Sequence, residues 1–321
     1  MEQLPKPDII IDYHFSEGNL NPMFVATVRP ESNEIAYEKA ILQGLKDYAD
    51  VVYLANLNGR TLGQNCVLFD HYASQFKFSI FGKHAIEQYP EMIDKFQRFF
   101  GIDFETAPIL GSFDAVIRLN KTPEQLFDTI VDSKDFLMMY GQSVKLIDGF
   151  YVVNSNIPRI IKHFSDDNIN MFVVAARAKN DHLDFDGINK SIFTYMKTCA
   201  NIPLIDEELL QGLNWEKRIK RTFHLSSGYI YGMFDMIDYI FHSDNAKITF
   251  QDTPLGYILM EKYKLTEQHL TNLKNSPIVY LCDGSRRELV NIINYSSGKT
   301  MSECVDIIGR IDWDDEHLQV E

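Results

Sequence analysis

No stretch of this sequence narrows the fold as far as residues 171–178, MFVVAARA, a bounded run of small, β-branched and aromatic side chains with Arg177 as its single charge. It is the most strand-like run in the chain, so a sheet must receive it. Around it, helical and extended patterns mix without the regular strand-helix-strand alternation of a doubly wound fold. The expected class is α+β: a mixed, partly antiparallel sheet with helices over 1–185, followed by a mainly helical domain or extension over 186–321. No long Gly/Ser/Pro linker marks that boundary, and one continuous domain is the alternative reading.

In the first part, Ile9, Ile11, Tyr13 and Phe15 alternate with Ile10, Asp12 and His14, which predicts a half-buried strand. Further strands are expected over 23–29, 51–56, 67–72, 76–81 and 113–119. A helix over 34–48 has Ala40, Ile41, Gly44, Leu45 and Tyr48 on one side. Pro90 opens another, with Ile93, Phe96, Phe99 and Phe100 as its stripe and Gly101 as its stop. Thr122 followed by Pro123 starts a third, and Asp148-Gly149 between β-rich flanks predicts a hairpin. Beyond 158–164 and 171–178, helices are expected over 187–199, 207–222, 229–242, 254–263, 266–274, 286–294 and 302–309. Only 246–250 and 278–281 read as extended there.

The balance of 31 basic against 45 acidic residues gives a formal charge of −14, which argues against a protein that coats nucleic acid or an anionic membrane. Trp215 to Arg221, WEKRIKR, is the dense basic stretch, and a solvated helix face explains it. The chain is rich in Phe (22) and Tyr (16), which serve the core first but can also line a pocket or an interface, including one between copies of the chain. Cys66, Cys199, Cys282 and Cys304 are far apart and form no C-x-x-C pair, so reduced thiols are expected. With no charged leader before an apolar core, and no apolar run approaching the ~20 residues of a membrane span, the expected location is cytoplasmic and no membrane partner is expected.

The segment 276–291 carries the sharpest site hypothesis. It reads as a strand, a tight Asp283-Gly284 turn and a helix from Arg286 capped by Ser285. Backbone amides at a helix start favour an anion, and two arginines would add charge and directed hydrogen bonds. Asp283, Gly284, Ser285, Arg286 and Arg287 are therefore the candidate ligand-binding residues for a phosphate- or carboxylate-bearing metabolite. Asp283 or His224 is the candidate acid-base group. An ordinary capped helix is the plainer alternative. The run LCDGS followed by a helix is similar to a short segment near the start of the GTP-dependent phosphoenolpyruvate carboxykinases; the likeness lacks their nucleotide loop and carries no function.

Other motifs are weaker. Asp12 and His14, two apart on one strand, would share a face and are the candidate metal ligands, although D-Y-H departs from the H-x-H of metal-binding strands. SSGKT at 296–300 ends like a phosphate loop but follows a helix, DHLDFDG at 181–187 misplaces its calcium ligands, and no G-x-S-x-G elbow occurs. No cofactor or reaction can be named. Two classes of function remain: binding or turnover of a small anionic metabolite at 283–287, or a non-catalytic interaction or regulatory protein whose acidic surface and aromatic residues meet a protein partner. The first needs Arg286 and Arg287 to converge on a concave polar pocket; the second needs an exposed apolar surface.

Overall fold

The computed structural model describes residues 5–180, 183–198, 222–315 and 318. Helices and three sheets make an α+β protein, as the mixed pattern predicts. Two compact units, discontinuous in sequence, share the chain: 1–67, 167–270 and 296–310 form the first, and 68–166, 271–295 and 311–321 the second. The expected boundary at 185/186 falls inside the first. The expected helix over 207–222 falls almost entirely outside the described residues.

The first unit is built on β1 (Asp8–Ile11), β2 (Met23–Val28), β3 (Ala49–Asn58), β8 (Asn170–Ala178) and β9 (Phe223–Leu225), in the order β1-β3-β8-β2-β9 with every pair antiparallel. The run 171–178 thus lies mid-sheet, with Val173 opposite both Thr27 and Ala55. Nearly every residue of β2 and β8 is buried, so both faces of these strands are covered and an unbroken apolar run suits them better than an alternating one. Gly232 lets the helix Tyr229–Tyr239 approach β2, since a Cβ there would lie 2.6 Å from the Met23 carbonyl oxygen.

The second unit holds β4 (Ile109–Gly111), β5 (Phe136–Met139), β6 (Gln142–Ile147) and β7 (Phe150–Val153), ordered β4-β7-β6-β5, and a separate pair, β10 (Ile278–Asp283) with β11 (Arg286–Asn291). The Asp148-Gly149 hairpin forms as expected, and Tyr140-Gly141 makes a second one. All four residues have positive φ, the geometry of two-residue turns that match strand twist. Phe78, Tyr89, Met92, Phe96 and Phe104 pack with Leu137, Met139 and Tyr151 into one core.

Several expectations are overturned. The expected strands at 67–72, 76–81 and 113–119 are helices, Val67–His71, Ala73–Phe81 and Ser112–Arg118. Short aromatic-rich runs have no period that separates strand from helix, and here the helix buries Ser74, Phe78 and Ser79, leaves Phe76 half-buried and turns Ile80 outward. Residues 246–250 form an isolated bridge, Phe241 to Lys247, and enter a 3-10 turn that Thr249 and Asp252 cap reciprocally. The expected helix from Arg286 is β11: Leu289 and Val290 are buried against Tyr280 and Val279, so strand pairing satisfies both their side chains and their backbone.

Candidate functional site

The segment Asp283, Gly284, Ser285, Arg286 and Arg287 is the tip of the β10-β11 hairpin. Asp283 pairs with Arg286 across a two-residue turn whose Gly284 takes φ +59°, a conformation that glycine adopts without steric cost. No helix begins there, so the outward amides that motivated an anion site are absent, and the likeness to the carboxykinase segment ends at the turn. All five residues are exposed. Arg286 Nη2 lies 3.3 Å from Glu288 Oε2. Arg287 lies flat on Tyr280, its Cζ 3.7 Å from the ring centroid, with Nε 3.1 Å from Asp312 Oδ2 and Nη2 paired with Asp315. The two guanidinium groups are directed to different carboxylates and do not converge on a pocket.

The surroundings of Arg287 are acidic. Tyr280 Oη donates to Glu91 Oε2 at 2.9 Å. Burial first, and then the Glu91 carboxylate, push the Tyr280 phenol up to about 12. Tyr89 is pushed up to about 12 by burial, with Asp315 and Tyr280 adding to the effect. Arg287 is thus the cation of a carboxylate- and phenol-rich cluster, an arrangement that fastens the hairpin to its own unit.

Asp12 and His14 do not share a strand face, because β1 ends at Ile11. The Asp12 carboxylate turns back to accept from the Tyr13 amide at 2.9 Å, while His14 points to solvent. Among the described residues, no group of three His, Cys, Asp or Glu side chains could hold a metal ion.

His224, on the edge strand β9, is placed more tightly. Its Nε2 is 2.8 Å from Asp235 Oδ2, and the same oxygen accepts from Ser226 Oγ at 2.7 Å. Ser226 Oγ also accepts from the Val25 amide at 2.9 Å and lies 3.0 Å from the Val25 carbonyl oxygen, which accepts from the Ser226 amide at 2.9 Å. Both Ser226 and Asp235 are fully buried. The Ser, His and Asp residues therefore do not line up as nucleophile, base and orienting acid: the carboxylate sits between the other two, and the serine cannot meet a substrate. The triplet ties β9 to β2 and to the helix Tyr229–Tyr239. Asp235 was not legible in the sequence, because it reaches His224 only through the packing of that helix on the sheet.

Two concave sites stand out among the described residues, and both are modest. A shallow open hollow of about 500 Å³ lies over Leu119, Asn120, Lys121, Gln125, Asp128 and Thr129. A second, lined in part by Met23, Met233, Met236 and Met301, has room for about one water.

An exposed apolar surface in the second unit is better developed. The rings of Phe69, Phe76 and Phe113 form a ladder, Phe69 to Phe76 at 5.0 Å and Phe76 to Phe113 at 6.0 Å, with interplanar angles of 20° and 11°. Helical spacing extends it: Ile80 stands one turn beyond Phe76 and Ile117 one turn beyond Phe113. Phe69 is 48% exposed, Ile80 51% and Ile117 79%. A buried polar network fixes the helix that carries Phe76: Gln142 Nε2 donates to Ser74 Oγ at 3.2 Å, and Asn154 Nδ2 donates to the Gln75 carbonyl at 3.2 Å and to Gln142 Oε1 at 2.7 Å.

Among the described residues, no helix is long and apolar enough to cross a membrane. No protein-family model, curated protein or solved structure matches the chain.

Proposed function

We propose that this chain is a non-catalytic interaction protein that meets a protein partner through the surface made by Phe69, Phe76, Ile80, Phe113 and Ile117. The ring ladder carries this reading: pre-stacked aromatic side chains flanked by exposed isoleucines present apolar area whose rotamers are already restrained, which lowers the entropy lost on association. Aromatic residues are enriched at interface centres, and contiguous apolar patches on soluble domains mark binding sites. We place the protein in the cytoplasm, where the exposed thiols of Cys66 and Cys282 stay reduced. The test is affinity capture with the parent chain, with Phe69→Glu/Ile117→Glu and with Arg286→Ala. A partner retained by the parent and by Arg286→Ala but lost from the double variant supports the reading; a capture set unchanged by the double variant rejects it.

A second reading keeps a small anion at the hairpin tip, contacted by Arg286 with Asp283, Gly284, Ser285 and Arg287 around it. One observation favours it: the pair that Arg286 makes with Glu288 is solvent-exposed and of a kind that contributes little, so the guanidinium is able to exchange Glu288 for a phosphate or carboxylate. Thermal-shift titration with phosphates and carboxylates, repeated on Arg286→Ala, tests it. Equal shifts for both proteins would reject the tip as the site.

A further inference from the structure

The sheet of the second unit ends in an open strand. In the order β4-β7-β6-β5, β5 is an edge, and its register against β6 sets Phe136 opposite Lys145 and Met138 opposite Ser143. Leu137 and Met139 turn into the core, while Phe136 and Met138 remain 37% and 50% exposed. Among the described residues, the Phe136 amide is taken by the Ser133 carbonyl, and the backbone of Leu137–Met139 makes no hydrogen bond outside its ladder with β6. Edge strands of monomeric proteins are usually guarded by a lysine, a proline or a bulge that stops another strand from pairing. FLMM contains none of these.

Two further observations converge on the same edge. Lys145, opposite Phe136, donates from Nζ to the Thr129 carbonyl at 2.9 Å, which ties the backbone next to Ile130 to this sheet. Ile130 is 82% exposed, more than any other large apolar side chain described. The segment leading into β5 also carries Asp128, Asp132 and Asp135 against the single cation Lys134. Among the described residues, none of these three carboxylates is in an ion pair, whereas Lys121 and Lys162 are held by Asp148 and Glu124 at 3.1 and 2.8 Å.

We propose that β5 is the docking edge for an extended segment of a partner protein that has aliphatic side chains at alternate positions and basic residues beside them. The segment adds to the sheet as a further strand. Its backbone pairs with the outer edge of β5, its aliphatic side chains cover Phe136, Met138 and Ile130, and its cations meet Asp128, Asp132 and Asp135. Strand addition takes affinity from main-chain hydrogen bonds and specificity from alternate side chains, and this edge offers both. The inference stands on observations separate from the aromatic ladder and survives if that surface proves idle.

The experiment is a titration of the isotope-labelled full chain with a capped peptide, KKVTVTKK, followed by amide resonances. The expected result is shifts at 136–139 that are absent with a peptide N-methylated at its valines, with binding weakened about tenfold, or about 1.4 kcal/mol, for EEVTVTEE or for Asp132→Lys. Met138→Lys, a change at an exposed position, should abolish binding while the rest of the spectrum is unchanged. Equal binding of the N-methylated peptide, shifts confined to other regions, or no binding would overturn the proposal. Self-association that Met138→Lys abolishes and the peptide does not displace would also overturn it, by assigning the edge to a second copy of the chain.

Discussion

Arg287 stacks on Tyr280 at 3.7 Å while its guanidinium is shared between Asp312 and Asp315, so one side chain joins the hairpin β10-β11 to the segment that follows Ile311. Removing it deletes a cation-π contact and takes the Arg287 charge away from Asp312 and Asp315. Arg287→Ala is expected to lower unfolding free energy by about 1–2 kcal/mol, a modest figure because the side chain is half exposed. Arg287→Lys should recover part of this, since a lysine keeps the charge but loses the planar stack. Urea denaturation of the two variants measures both, and raised salt should narrow the gap between parent and Arg287→Ala.

The tyrosines around that arginine set an alkaline limit. Tyr280 and Tyr89 are pushed up to about 12 in the folded chain, Tyr13 and Tyr53 are raised by burial, and an unfolded phenol titrates near 10. A folded-state value above the unfolded one means that the contribution is fully present below pH ~10 and is lost as pH rises from ~10 toward ~12, because the unfolded chain releases its protons first. Stability should therefore fall across that window, and Tyr280→Phe should make the fall shallower. Denaturation midpoints taken across the window measure the slope; an unchanged slope in the variant would mean that Tyr280 is not held protonated by folding.

The parts of the fold that local rules control were legible. Thr122 and Gln125 form a reciprocal cap at the expected helix start, Asp148-Gly149 turns a hairpin, and Gly101 ends its helix with φ +66°. Where tertiary pairing decides, the sequence misled. Arg286 to Asn291 has an acceptable cap and a helix-compatible composition, yet the neighbouring strand 278–283 is available to it, and pairing buries Leu289 and Val290 more completely than an isolated helical turn could. The same limit hid the site: Phe69, Phe76 and Phe113 come from three helices, all of them expected as strands, so their stacking has no signature in spacing.

Asp235 should prove the most sensitive polar position of the first unit. Ser226→Ala removes a hydroxyl that serves both Val25 and Asp235, and is expected to cost about 1–3 kcal/mol because backbone and carboxylate partners stay buried. Asp235→Ala removes the shared acceptor of His224 and Ser226, and a loss of about 1–3 kcal/mol or more is expected because the serine hydroxyl stays buried. The two losses should not add. A double-mutant cycle that gave strict additivity would show that the serine and histidine contacts are independent, contrary to their sharing one oxygen.

Two glycines of the second unit separate backbone strain from steric contact. Gly149, at φ +83°, has nothing within 4 Å of the place a Cβ would occupy, so Gly149→Ala should cost only the left-handed backbone penalty of about 1–2 kcal/mol and leave the aromatic surface undisturbed. Gly111 has an ordinary extended backbone, with φ −67°, but a Cβ there would press on the carbonyl oxygen of Ser79, in the helix that carries Phe76. Gly111→Ala must push that helix away from β4 and with it the middle ring of the ladder. A loss of about 1–3 kcal/mol is expected, together with a changed near-ultraviolet circular dichroism signal that Gly149→Ala lacks. If the ladder is the docking surface, Gly111→Ala should also weaken partner capture without altering any exposed side chain, an outcome that would tie binding to the stacked geometry rather than to apolar character alone.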